Sequence, residues 1–238
     1  MLLLHFSSEG IMDITFFESL IIVVLLLVTY RQYMTIRYLK NELSHDPLTG
    51  LRIMRHFEKK CLEVMDRVER KREDSLAASE EEHTPHRTYQ HSHSVAFVDL
   101  DGLQWTNNHA DYGYFIGDRI LVALANILNR WRRQDDLVVR RSKGGDEFLI
   151  LFAGSNKEEA ERLLLENRRR FERVIENRFP GLAGNVSFSF GVREVNLKQS
   201  EDEIAQAIEG ASKVMHRFKK ERKMDRRVSS LKEDGVLK

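Results

Sequence analysis

Two adjacent carboxylates, Asp146 and Glu147, directly follow Gly144-Gly145 and directly precede the apolar run Phe148-Leu149-Ile150-Leu151-Phe152. Acids are poor strand formers, so their place at the head of a buried-looking strand asks for a reason. Glycines that let a ligand approach the backbone, beside two carboxylates, suit a hard cation carrying a polyphosphate. A hairpin with an acidic tip and no ligand is the competing reading, because Gly-Gly with acids is common turn chemistry. A second source of carboxylates separates the two. Val95 to Asp101 reads as a buried strand that ends in Asp99-Leu100-Asp101, and ligand sites in α/β proteins gather at such strand ends. Two separate strands then deliver acids to one place, which favours the cation.

The elements that must position these groups follow from periodicity. Leu137 to Phe152 reads as a β-hairpin around Gly144-Gly145. Phe57, Cys61, Val64, Met65 and Val68 recur at helical spacing. So do Ile120, Ala123, Leu124, Ile127, Leu128 and Trp131, whose shared face is expected in the core. Ser155-x-x-Glu158 is expected to cap a helix that buries Ala160, Leu163, Leu164, Phe171, Val174 and Ile175. Val186 to Val192 alternates like a strand. Ser200-x-x-Glu203 is expected to cap a last helix with Ile204, Ala207, Ile208, Ala211, Met215 and Phe218 inward. The order β-α-β-hairpin-α-β-α predicts an α/β domain with a central, mainly antiparallel sheet, like the palm (ferredoxin-like) domain of nucleotidyl cyclases.

The string Gly144-Gly145-Asp146-Glu147-Phe148 is the signature of the GGDEF family, whose active members are diguanylate cyclases, and the chain resembles that family from about Asp46 to about Arg227. Asp46-Pro47-Leu48-Thr49-Gly50-Leu51 is similar to the family's opening motif, although Ile53 and Met54 stand where an Asn-Arg pair is usual. The resemblance implies condensation of two GTP into cyclic di-GMP and pyrophosphate. Asp99, Asp146 and the Leu100 carbonyl would hold Mg²⁺ or Mn²⁺, Glu147 would act as a further ligand or base, and the Gly144-Gly145 backbone would touch phosphate. Asn107 or Asn108 would read guanine together with Asp118, and Lys219 and Lys223 would hold the triphosphate. Arg133 and Asp136 have the form of the family's Arg-x-x-Asp product-inhibition site, with seven residues rather than five before Gly144. Further departures are Gln104 for a lysine, Tyr114 for a histidine, and two extra residues between Asn107 and Gly113. These departures define the alternative: a catalytically weak GGDEF domain that binds GTP or cyclic di-GMP and signals by contact.

Each subunit would hold one GTP, and each 3′-hydroxyl must attack the other's α-phosphate. Activity therefore implies a two-fold homodimer. No residue identifies the proteins that would read cyclic di-GMP.

The 238 residues suit one domain with a short appendage, and 42% hydrophobic content is enough for a sizeable core. With 38 basic and 37 acidic residues, a net charge of +1 gives no basis for nucleic-acid binding. The lone Cys61 excludes an intramolecular disulfide and a cysteine-cluster metal site.

After a short segment over 1–10, residues 11–30 form an apolar run near the ~20 residues that span a bilayer, with Arg31, Arg37 and Lys40 on the C-terminal side. One transmembrane helix is expected, with the bulk of the protein in the cytoplasm and no room for an external sensor domain before it. For this family that means single-pass anchoring in a bacterial inner membrane. A soluble helix buried in a dimer is the competing reading. Residues 31–45 place Tyr33, Ile36, Leu39 and Leu43 on one stripe, suited to a helical linker that pairs with its own copy. The GGDEF domain is expected over 46–228, with an inserted loop at 69–94 that reads as a solvated loop or an extended helix end, and a tail at 229–238. His83, His86, His91 and His93 fall in that insertion and are expected to lie in solvent rather than on a metal.

Overall fold

In the computed structural model, residues 8–42, 45–53, 56–79, 92–142 and 144–233 are described, with only the helical backbone of 8–17, 38–42, 76–79 and 223–233. The chain divides into two units, 1–45 and 46–238.

The first unit is the helix α1 (Ser8–Glu42). It carries the expected apolar run and the start of the expected linker on one continuous helix. Its segment Glu18–Arg37 is long and apolar enough to cross a membrane, and none of it is buried.

The second unit is built on a five-stranded sheet in the order β1-β3-β4-β2-β5. The strands are β1 (Arg52–Ile53), β2 (His93–Asp101), β3 (Leu137–Arg140), β4 (Glu147–Phe152) and β5 (Ser187–Val195). All pairings are antiparallel except β1 with β3. Residues alternate faces along each strand, and both faces are covered. Ala96, Val98, Phe148, Ile150, Phe188 and Val192 pack under α4 (Gly113–Arg130) and α5 (Lys157–Arg178). Val95, Phe97, Leu149 and Leu151 pack under α2 (Phe57–Ser79) and α6 (Glu201–Glu233). The central β2 serves both layers and is buried from His93 to Leu100. A short α3 (Leu103–Asn108) joins β2 to α4. Cys61, on α2, is fully buried, and burial pushes its thiol up, as expected for a small apolar core residue.

Several expectations change. Trp131 is about half exposed at the end of α4, where the Arg170 guanidinium stacks 3.9 Å above its ring. Phe218 is likewise exposed, with the Arg217 guanidinium 5.7 Å from its ring centre. The cap of α5 is Asn156, whose Oδ1 accepts from the Glu159 amide. Ser155 is buried instead, its hydroxyl accepting from Arg133 and its carbonyl from Ser94. The Ser200–Glu203 box forms as expected, in both directions.

From Glu69 to Ser79 the stretch continues α2, the extended helix end of its two readings, while His83, His86 and His91 lie outside the described residues. His93 is not in solvent: it is fully buried at the start of β2. Its Nδ1 accepts from the Gly154 amide and its Nε2 lies 3.2 Å from Glu69 Oε1. A buried imidazole is tolerated there because both nitrogens face polar groups.

Candidate functional site

The hairpin between β3 and β4 turns through Gly144, whose φ of +84° is left-handed backbone that favours glycine. Arg141 N–H bonds the Glu147 carbonyl and Gly145 N–H bonds Ser142 O, which closes the turn. Asp146 sits at its base, and its carbonyl accepts from Leu100 N–H at 3.2 Å. That bond, with the register pairing Asp99 to Glu147, brings the acidic ends of β2 and β4 side by side.

A cavity of about 310 Å³ opens at this junction, and Leu100, Asp101, Asp146, Lys219 and Arg222 are among its lining residues. Gly102 forms its rim. Its φ is +88°, and a Cβ would lie 2.4 Å from the Asn185 carbonyl, so both conformation and space require glycine.

The carboxylates do not stand alone. Lys219, on α6, places its ammonium on Asp99 Oδ1 and 3.2 Å from Asp101 Oδ1. Arg222 reaches Asp101 Oδ2 at 3.2 Å, and Ser189 Oγ donates to the same oxygen at 2.7 Å. Burial pushes the Asp99 carboxyl up, the nearby Asp146 and Asp101 push the same way, and Lys219 pulls back. Burial works against the Lys219 charge, but Asp99 and Asp101 outweigh it and hold its pKa up. Among the described residues no three acidic, histidine or cysteine side chains are gathered as a ready metal cage, but the Asp99 and Asp146 carboxylates and the Leu100 carbonyl are oxygen donors of the kind a hard divalent cation takes.

The other expected residues are distributed as follows. Glu147 begins β4 with its carboxylate 2.8 Å from Arg141. Asn107 turns toward α4: its Oδ1 is buried without a hydrogen bond among the described residues, at the spot where a Gly117 Cβ would stand. Asp118 follows Gly117 but is exposed and lines a different cavity, with Phe115 and Arg119. Asn108 is exposed beside Trp105 and His109. The two extra residues are taken up in a turn whose rings, Trp105, His109 and Tyr112, pack on one another at 4.6–6.2 Å. Gln104 lines the main cavity.

Arg133 and Asp136 are brought together, but Asp136 is buried and accepts from the Arg133 and Ala153 amides. Arg133 itself bonds Ser155 and Glu159. The charged end of α4 thus serves a local fold, with the Asp136 carboxylate turned inward. The Lys223 side chain lies outside the described residues. Sequence reasoning named Asp101 only as the second acid of its strand and gave no role to Ser189 or Arg222, which only folding joins to it.

A sequence model for the family described as "Diguanylate cyclase, GGDEF domain" matches residues 72–225, more than half of the chain. The diguanylate cyclase DgcZ of Escherichia coli is 40% identical over 66 residues, covering 28% of this chain and 21% of DgcZ. The diguanylate cyclase DgcP of Pseudomonas aeruginosa is 28% identical over 126 residues, 53% of this chain and 18% of DgcP. The matches thus span about a fifth of those relatives. Among solved structures, diguanylate cyclase SiaD from Pseudomonas aeruginosa, in complex with its activator SiaC, aligns with TM-score 0.53 at 24% identity, covering 88% of this chain and 73% of SiaD. The coiled coil and GGDEF domain of DgcB from Caulobacter crescentus, in complex with c-di-GMP, aligns with TM-score 0.55 at 17% identity, covering 81% and 90%. At these identities the likeness is one of fold, and the nucleotidyl-cyclase-like α/β architecture expected from element order is the one observed. With the signature on its hairpin, the fold around it and the family model across most of the domain, this chain belongs to the GGDEF family.

Proposed function

We propose that the protein is a diguanylate cyclase that joins two GTP into cyclic di-GMP. The observation that supports this most is a cavity lined by Asp146 and Lys219, whose ammonium pairs with Asp99, an acid from a separate strand close enough to feel the Asp146 charge. Asp99, Asp146 and the Leu100 carbonyl would hold Mg²⁺ or Mn²⁺. When bound, such a cation neutralises charge on the triphosphate and stabilises the attacking and leaving oxygens. Lys219 and Arg222 provide positive charge for the phosphates, and the Gly144-Gly145 backbone lets them come close. Lys223 would add to that charge. Glu147 acts as ligand or base only if its pair with Arg141 opens. Asn107, which faces α4, reads guanine in preference to the outward Asn108, with Asp118 from the next helix. In the reaction each 3′-oxygen loses its proton and bonds the other nucleotide's α-phosphorus, and each pyrophosphate leaves, so one ring of two phosphodiesters forms.

That ring closes only between two copies facing each other, so a homodimer is part of the proposal. The apolar run at 11–30, which overlaps the span Glu18–Arg37, is assigned to a bilayer, with Arg31 and Arg37 at its cytoplasmic end and the GGDEF domain on that side, where confinement would favour pairing. The binding-module alternative draws on Gln104, which lines the cavity where the family pattern has lysine.

The test is incubation of purified full-length protein with GTP and Mg²⁺, with products read by mass, beside Asp146→Ala. Cyclic di-GMP from the wild type and a loss of about 100-fold or more in the variant are expected. No product from a demonstrably dimeric, nucleotide-bound wild type would move the reading to the binding module. Flotation with liposomes tests the anchor, since a full-length chain that stays with the soluble fraction contradicts it.

A further inference from the structure

We infer that the Lys219 ammonium is the resident counter-cation of Asp99 and must leave it before a divalent cation can bind there. The inference rests on reading Asp99 as a metal ligand.

The two acids held by Lys219 are unequally supported. Asp101 keeps two further partners, the Arg222 guanidinium and the Ser189 hydroxyl, both on Oδ2. Among the described residues, the Asp99 carboxylate is hydrogen-bonded to Lys219. The Asp99 side chain is only 10% exposed and that of Lys219 27% exposed. Solvent therefore does little to replace the ammonium. Withdrawal of Lys219 leaves Asp101 held and Asp99 free, with Asp146 beside it.

A buried carboxylate stripped of its partner is costly. An arriving divalent cation offsets that cost at Asp99, and a triphosphate gives the displaced ammonium a new anion. Metal and triphosphate binding become coupled through one side chain. The fold thus protects its acidic cluster without metal by keeping a cation of its own in place.

The test is the affinity of full-length protein for Mn²⁺ without nucleotide, read by electron paramagnetic resonance of the free ion. Lys219→Met and Lys219→Gln, both neutral, should bind Mn²⁺ about tenfold more tightly than wild type. Lys219→Arg, which keeps the charge, should stay near wild type. Adding Asp99→Asn to the neutral variants should abolish the gain. Equal or weaker Mn²⁺ binding by folded neutral variants would overturn the inference, as would a gain that survives Asp99→Asn. Failure of the cyclase reading appears separately, as absence of cyclic di-GMP from wild type, and leaves the Mn²⁺ comparison standing.

Discussion

Arg140 and Asp46 form an ion pair with both side chains only 2% exposed, Nη1 lying 2.5 Å from Oδ2. Arg140 also donates Nε and Nη2 to the Gly145 carbonyl, while Asp46 accepts from the Thr49 amide and hydroxyl. One guanidinium therefore ties the turn that opens the domain to the glycine pair of the hairpin. Removing one partner leaves a buried charge uncompensated. Arg140→Met should lower the unfolding free energy by about 3–5 kcal/mol, measured by urea denaturation at neutral pH. A loss below 1 kcal/mol would show that the pair carries no such load.

The same pair sets an acid limit. Burial raises the Asp46 carboxyl, but the Thr49 hydroxyl, the Thr49 amide and Arg140 outweigh it, so the carboxyl lies below its ordinary value of 3.8. A carboxylate depressed on folding contributes stability that is present above its unfolded value and lost as pH falls through the folded one. Wild-type stability should decline on acidification below 3.8, and Asp46→Asn should flatten the curve there. Parallel curves for the two proteins would assign the acid limit to other groups.

Gly117 presses on the residue assigned to guanine. A Cβ at this position would stand 1.9 Å from Asn107 Oδ1 and 3.1 Å from Leu103 Cδ1. The flexible Asn107 amide must give way. Gly117→Ala should raise the KM for GTP about tenfold, with kcat much less affected and stability lowered by about 1 kcal/mol. Steady-state kinetics beside thermal unfolding separate these effects, and an unchanged KM would remove Asn107 from the base site.

Gly191 meets backbone instead. An added Cβ would lie 2.1 Å from the Ala211 carbonyl and 2.8 Å from the Met215 amide, where β5 packs on α6. Neither can step aside as a side chain can. Gly191→Ala should cost about 1–3 kcal/mol of stability and displace α6, the helix that carries Lys219. Chemical denaturation measures the loss, and an unaltered midpoint would refute the tight packing.

Local chemistry made much of this protein legible from sequence. Gly144-Gly145 followed by two acids announced the hairpin and its ligand chemistry, because a turn and its flanking residues encode their own conformation. Asp99 at the end of an apolar run marked the second acidic strand, and period-2 and helical spacing foretold the elements of a mainly antiparallel α/β domain. The apolar stretch beginning near Ile11 read as a long helix and is one. Elsewhere the same signals misled. Trp131 and Phe218 continue helical stripes yet stay about half exposed, each with an arginine guanidinium over its ring, and Ser155 yields the cap of α5 to Asn156 because Arg133 takes its hydroxyl.

Tertiary structure decided what lies between elements distant in sequence. Arg140 and Asp46 are 94 residues apart, and Lys219 is 120 residues from Asp99. No periodicity or turn chemistry pairs them; the sheet order and the packing of α6 do. His93, polar and next to a charged stretch, looked like a surface residue, yet the central place of β2 buries it against Glu69 and Gly154. The sequence alone thus pointed not to Ser189 or Arg222 but to the carboxylates, the glycine pair and the lysine of the site. Only the fold determined that one of them, Lys219, neutralises another, Asp99, because a buried charge takes its partner from whatever the packed chain brings within reach.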